Sequence, residues 1–354
     1  MIHLAIDHGK KHSHAVAITD SGEICFDGKI PTTIDGIASI KEALPKDEPV
    51  HSTIEASWNW GKVYDALEDL GLNPMLSNPS KSRLVAESFT KTDRNDAMTH
   101  AIMLRAQITP TVHVPSKDVR DQKNILRHRF WLVRLRTMIK NRIHSILDRN
   151  HLQVPQATDL FGGHGRAWIN GVKLREPDGK LLKTHLELLD FTRVQTRQTE
   201  KWVREALKGN TKIPILRSLP GVGPILGALI ALEIDTIERF YSSGKFTAYC
   251  GLVPSTYSSG GKTVHGRLIP RANRHLRYAF IEAAWTAVRV SPYFSAFYRR
   301  LKERRGAGKA IGAVGRKLCE ISYFCLKKGR LYEEREYRLK RGTETVRRDL
   351  VGSP

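Results

Sequence analysis

Apolar residues follow two different periods along this chain, and the change falls near residue 115. Before it the runs are short and alternating: IHLAID at 2–7, HAVAITD at 14–20 and ICFDGKI at 24–30, with a tight turn at Ser21-Gly22-Glu23. A period of two with β-branched residues predicts three strands opening an antiparallel sheet. A helix is expected from about Thr33, where Ile37, Ile40 and Leu44 share one face. Strand VHSTIE at 50–55, helix KVYDALEDLGL at 62–72 and strand NPMLSNP at 73–79 follow. That alternation belongs to an α/β sheet. Further helices are expected around 80–89 and 94–107.

Past the loop at 109–116 the pattern becomes helical and long. Leu132, Leu135, Ile139, Ile143 and Ile146 make one stripe of a helix of about 33 residues that ends near Asn150, a seam for pairing with another helix. Its expected partner runs from about 180 to 208, antiparallel. Between them, 151–179 reads as a glycine-rich, mobile loop. The remainder to about residue 335 reads as mainly helical with a glycine-rich interruption at 250–266, and residues 336–354 as a frayed polar tail. The expected organisation is an α/β domain over 1–115, a helical coiled-coil connector over 116–209 and a mainly helical domain over 210–335.

Composition excludes several classes of protein. No apolar run approaches the roughly 20 residues that span a bilayer. MIHLAIDHGK starts a strand with no export signal ahead of it, so a cytoplasmic protein without membrane contact is expected. Cys25, Cys250, Cys319 and Cys325 have no zinc-type spacing and are expected to be reduced. Charge is more telling. The net charge is +22, yet residues 1–115 hold 11 Lys and Arg against 15 Asp and Glu, whereas residues 116–354 hold 47 against 21. A field of that sign favours a polyanion, and nucleic acid is the expected partner.

Chemistry enters through four carboxylates. Asp7 ends the first strand, Glu55 ends the fourth, and Asp93 and Asp96 are three apart in KTDRNDAMTHAIML, on one face of the first helical turn. Each alone has a plain structural reading as a turn, cap or strand-end acid. In this order they match the ribonuclease-H-like arrangement, in which converging carboxylates hold Mg²⁺ or Mn²⁺ for phosphodiester chemistry.

Two further segments carry candidate residues. In YCGLVPSTYSSGGKTVHGRLIPRANRHLR a serine pair, Ser258 and Ser259, meets Gly260 and Gly261 among Lys262, Arg267, Arg271, Arg274 and Arg277. Glycine lets a backbone approach phosphate and the cations would hold it, although a flexible turn gives the same pattern. In SLPGVGPILGALIALE, Gly221 and Gly223 precede an apolar helix, which fits a helix-hairpin-helix phosphate contact or a tight loop between core helices.

With these pieces in order, the chain resembles the DEDD-type insertion-sequence transposases of the IS-one-ten family. The likeness runs through AIDHGKKHSHAVAI, STIEAS, NPSKSRLVAESFTKTDRNDAMTHAIML, LPGVGPILGALIALEI, FTAYCGLVPSTYSSGGKTVHG and IGAVGRKLCEISYFCLKKG, with KTDRNDA and GLVPSTYSSG the most specific parts. The resemblance implies a RuvC-like nuclease domain, a coiled-coil connector and a serine-bearing transposase domain. It further implies that Asp7, Glu55, Asp93 and Asp96 bind metal and that Ser259 attacks DNA. Ser258 stands where the family commonly has another residue, so the nucleophile is open between the two serines. Donor and target DNA, a noncoding guide RNA and assembly as a homodimer or homotetramer are also implied. The rival expectations are a junction-resolving metal nuclease that uses water, and a non-catalytic nucleic-acid scaffold.

Overall fold

The computed structural model describes residues 1–85, 92–155, 159–338 and 345–349. It divides into two compact units, Met1–Pro115 and Ser116–Pro354.

The first unit is built on a five-stranded sheet in the order β3-β2-β1-β4-β5, from β1 (Ile2–Asp7), β2 (His12–Thr19), β3 (Ile24–Pro31), β4 (Val50–Glu55) and β5 (Pro74–Ser77). The β1/β2 and β2/β3 pairs are antiparallel; β4 joins β1 and β5 in parallel. Such a mixed sheet with flanking helices is compatible with a ribonuclease-H-like domain. The strand pleat sends Ile2, Leu4 and Ile6 to one face, into a core shared with α1 (Ile34–Ala43) and α2 (Trp60–Asp69). Ala5, Val16 and Ile18 point to the other, where Ala97 and Ala101 of α4 (Asp93–Arg105) meet them. Small residues on both sides of that contact let the helix lie close to the sheet. The helix expected around 80–89 begins as α3 (Pro79–Val85), and its remainder falls outside the described residues.

The second unit opens with α5 (Lys117–Arg149), capped by the Ser116 hydroxyl, which accepts the Val119 N–H. It packs antiparallel against α7 (Asp178–Ala206), as pairs from Gln122 with Ala206 through Arg129 with Glu200 to Arg149 with Asp178 show. The seam takes Leu132, Ile139, Ile143 and Ile146 from α5, and Leu182, Leu186, Leu189 and Val203 from α7. Thr192, Thr196 and Thr199 are buried on α7, each hydroxyl donating to a carbonyl of the preceding turn, so no polar atom is stranded there.

Three expectations need correction. The stretch at 151–179 contains helix α6 (Gly163–Gly171), and Leu160, Phe161 and Ile169 bury themselves against the helix pair; apolar anchoring overrides the local glycines. The glycine-rich interruption is a β-hairpin of β6 (Pro254–Ser259) and β7 (Lys262–Leu268). The expected frayed tail pairs β8 (Glu334–Arg338) with β9 (Thr345–Asp349), strands whose sequences hold Tyr337, Thr345 and Val346 on either side of Arg341-Gly342.

The rest of the second unit is helical, with α8 (Lys212–Arg217), α9 (Pro224–Ile234), α10 (Ser243–Tyr249), α11 (Arg274–Val290), α12 (Pro292–Arg305) and α13 (Ala307–Lys328). Phe246, Phe280 and Phe294 are fully buried at its centre. Among the described residues no helix is long and apolar enough to cross a membrane. All four cysteines are free thiols.

The closeness of α4 to the sheet gives a direct test. Ala101→Leu, which forces extra volume into that contact, is expected to destabilise the first unit by about 1–3 kcal/mol, measured as an earlier urea unfolding transition.

Candidate active site

The carboxylates of the first unit share a place for reasons of strand geometry. Strands β1 and β4 are parallel and in register up to Ile6 and Ile54, so Asp7 and Glu55 follow at neighbouring strand ends. Ile6 and Ile54 face the α1/α2 core, and alternation therefore puts Asp7 and Glu55 on the opposite face, the one α4 covers.

Helix α4 brings its first turn to the same end. Thr92 caps it, its hydroxyl accepting the Asn95 N–H at 3.1 Å, and Asp93 and Asp96 occupy that first turn, where the helix dipole favours negative charge. Arg94 reaches across to β3, its Nε donating to Asp27 Oδ2 at 2.6 Å. The other Asp27 oxygen is 2.7 Å from His14 Nε2, and His14 is the register partner of Asp7. Arg94, then His14, hold the Asp27 carboxyl below the usual range. This chain of contacts pins the start of α4 beside the Asp7 end of the sheet.

One turn after Asp96, His100 comes into the same electrostatic neighbourhood. Burial pushes its imidazole pKa down, while the charges of Glu55 and Asp96 act in the opposite direction. Its Nδ1 is buried and has no hydrogen-bond partner among the described residues. Among the described residues no group of three or more His, Cys, Asp or Glu side chains is gathered closely enough to hold a metal ion. Glu55 and Asp96 both act on His100, while strand register places Asp7 and the first turn of α4 places Asp93.

In the second unit, Gly260 and Gly261 have φ of 55° and 76° and form the two-residue tip of the β6–β7 hairpin. Two left-handed residues make the primed turn whose twist suits a hairpin, which only glycine and a few polar residues adopt readily. Ser259 pairs with Lys262 across that tip, and Ser258 with Thr263. Ser258 Oγ lies 3.2 Å from Thr263 Oγ1, whereas Ser259 Oγ has no hydrogen-bond partner among the described residues. The two hydroxyls also point to opposite faces of the ribbon.

The cations sort themselves similarly. Lys262, Arg267, Arg271 and Arg274 are exposed. Arg277 is turned inward, where its guanidinium donates to the Ile269 carbonyl and lies against Gly251, which has φ of 68° and no room for a Cβ.

The two hairpin glycines separate as well. Gly221 has φ of 83°, and a Cβ on it would overlap the Ala283 carbonyl of α11 and come within 3.0 Å of the Ala287 nitrogen. Its need for glycine is a packing need. Gly223 is the exposed N-cap of α9, with nothing within 4 Å of an added Cβ.

Three residues near these sites escaped the sequence reading: Asp27, His100 and Glu233. Glu233 had a usable signal, being the single charge in an eight-residue run, Gly227 to Ile234, that is buried throughout. The hairpin also had one, a Gly-Gly pair between β-branched and aromatic residues.

The acidic strand ends of one unit and the serine hairpin of the other both lie in stretches that transposase family profiles match. A family profile described as a DEDD transposase of IS110 type matches residues 4–152, and one described as "Transposase IS116/IS110/IS902 family" matches 213–299. The chain belongs to the IS110 family of insertion-sequence transposases. A probable family 20 transposase of Pseudomonas aeruginosa is 27% identical over 71% of this chain and 78% of its own length. The transposase for insertion sequence element IS1111A of Coxiella burnetii is 24% identical over 93% and 90% respectively. An uncharacterized 44.8 kDa protein of insertion element IS116 from Streptomyces clavuligerus is 22% identical over 94% and 96%. Cleavage and rejoining of DNA is the activity that membership implies.

The glycine geometry leads to a paired expectation. Gly221→Ala should lower the stability of the second unit, because both φ and space exclude a side chain. Gly223→Ala, which meets no steric barrier and loses only the N-cap preference for glycine, should cost less, about 1 kcal/mol at most. Calorimetry of the two variants checks the contrast.

Proposed function

We propose that this transposase exchanges DNA strands through a covalent serine-phosphate bond on Ser259. The observation that carries this reading is the position of Ser259: last residue of an exposed strand, beside a left-handed glycine and opposite Lys262, with a hydroxyl unengaged among the described residues. Ser258, hydrogen-bonded to Thr263, is the less available of the pair. Attack by Ser259 Oγ on a DNA phosphorus forms an ester to serine and releases one strand end as a hydroxyl. Attack by a hydroxyl of the new partner strand reverses the step and frees the serine. No oxidant or energy source is needed, since one phosphodiester replaces another. Lys262, Arg267, Arg271 and Arg274, with the Gly260 backbone, would hold the phosphate and offset its charge.

Asp7, Glu55, Asp93 and Asp96 would hold the divalent metal. Their hard oxygen donors suit Mg²⁺, with Mn²⁺ an alternative, and His100, which feels the charges of Glu55 and Asp96, has a buried Nδ1 without a partner among the described residues. When bound, the metal would supply Lewis-acid polarisation of the scissile phosphate. In this reading residues 1–115 act as the RuvC-like domain, 116–209 as the coiled-coil connector and 210–335 as the serine-bearing domain. The α8–α9 turn serves as a helix-hairpin-helix contact with phosphate through the Gly223 end.

Donor and target DNA would be selected by base pairing to a noncoding guide RNA, with the basic second unit holding backbone and shape. Assembly as a dimer or tetramer is supported by an exposed apolar series on the helix pair. On α7 Leu181, Leu188 and Trp202 recur at multiples of seven, and on α5 Trp131 and Met138 are seven apart, all exposed despite their size.

The deciding experiment is to trap protein-DNA adduct during recombination of a donor and target plasmid pair. Wild type and Ser258→Ala should form it, and Ser259→Ala should form none. A water-using nuclease instead predicts cleavage without adduct in all three. Asp7→Asn is expected to abolish strand exchange while leaving nucleic-acid affinity within about threefold, because it removes a ligand and not a phosphate contact. Withholding the element's flanking RNA should stop recombination altogether.

A further inference from the structure

Among the described residues, Glu233 is the only Asp, Glu, Lys or Arg in the buried class, and it lies on α9 in the interior of the second unit. A buried carboxylate is tolerated only when its oxygens are paired, and both of these are. Oε1 accepts from Arg127 Nη2 of α5 at 2.9 Å, and Oε2 accepts from Asn273 Nδ2 at 2.9 Å. Burial pushes the carboxyl pKa up, but Arg127, Asn273 and Lys123 outweigh it and hold Glu233 ionised.

Asn273 is the N-cap of α11. Its Oδ1 accepts the N–H groups of His275 and Leu276, each at 3.0 Å, and its backbone N–H donates to the Tyr249 carbonyl at 2.9 Å. A side-chain amide has one accepting and one donating end. With the donor drawn to Glu233, the acceptor is left facing the open amides of the helix. The carboxylate therefore chooses the amide orientation in which the cap works.

We infer that Glu233 is a positioning residue for strand exchange: through the Asn273 amide it fixes the start of α11 and the segment by which the serine hairpin returns to the body of the unit. The inference rests on the reading that this hairpin carries the nucleophile. Strand β7 ends at Leu268, and only five residues separate it from the first residue of α11, Arg274. Arg271 and Arg274 lie on either side of the cap, so the setting of these two cations relative to Ser259 follows from how firmly Asn273 is held.

Exchange of the two polar groups separates this role from general packing. In Glu233→Gln the introduced amide nitrogen faces the Asn273 nitrogen, donor against donor, and turning Asn273 over would present a donor to the helix amides. In Asn273→Asp two carboxylates face one another. In the double variant Glu233→Gln/Asn273→Asp the glutamine oxygen still accepts from Arg127, its nitrogen donates to the introduced aspartate, and the other aspartate oxygen still caps α11.

The test uses the full chain with donor and target plasmids, reading strand exchange alongside hydrogen-exchange protection of the amides of residues 274–277. Each single substitution should lower strand exchange and speed amide exchange there by about tenfold or more, and the double variant should restore both to within about threefold of wild type. Single variants with unchanged strand exchange, or a double variant no better than the singles, would overturn the inference. If wild type forms no serine-DNA adduct while amide protection still follows the swap, the serine reading fails and the anchoring of α11 by Glu233 stands.

Discussion

Strand β1 is buried on both faces, and the first unit follows from that constraint. Ile2, Leu4 and Ile6 require one apolar layer and Ala5 another, so helices must cover both sides of the sheet. Between these layers a charged group is excluded until the strand ends, and the first acid is Asp7. Because β4 runs parallel beside it and obeys the same rule, its own terminal acid, Glu55, arrives at the same edge. The choice of alanine at positions 5, 97 and 101 then decides how near α4 can lie, and with it how near Asp93 and Asp96 come to that edge. The pair of acids at this edge is a by-product of satisfying hydrophobic burial with strands that stop together.

The second unit solves a different problem, since its excess positive charge would disfavour a compact state if concentrated. Two devices spread it. Long helices keep arginines and lysines on outer faces while an aliphatic and threonine seam is shared inside. Where cations do come inward they meet carbonyls, aromatic faces or carboxylates: Arg239 lies over the rings of Phe240 and Tyr249, Arg277 against the Ile269 carbonyl, Arg129 against Glu200. The remaining exposed cations form the field that attracts a polyanion.

Much of this was legible in the residues. The strands of the sheet announced themselves by alternation, and the α5 seam by its spacing, because burial of one face imposes a period that survives any choice of surface residue. The positions of Asp7 and Glu55 at strand ends and of Asp93 and Asp96 in the first turn of α4 were legible because strand ends and a capped first turn are local features. What escaped was set by distant partners. Nothing near Asp27 in the chain reveals that Arg94 will reach it, and nothing near Glu233 reveals Arg127 or Asn273, which lie 106 and 40 positions away. The β6–β7 hairpin escaped for the opposite reason, its strands carrying too few apolar residues to show a buried face. Helix α6 was hidden by glycines whose local preference is overruled by Phe161 and Ile169.

That same hairpin has little beneath it. The last four residues of β6 are exposed, and a two-stranded ribbon without a supporting layer is marginal in water. If nucleic acid docks on it as proposed, part of the interaction energy would go into straightening the ribbon and would not appear as affinity. A nucleophile on such an element, as proposed for Ser259, would be poorly aimed in the unbound protein and well aimed only on a complete substrate. Under the proposed function, weak intrinsic order at Ser259 would act as a safety catch on DNA breakage.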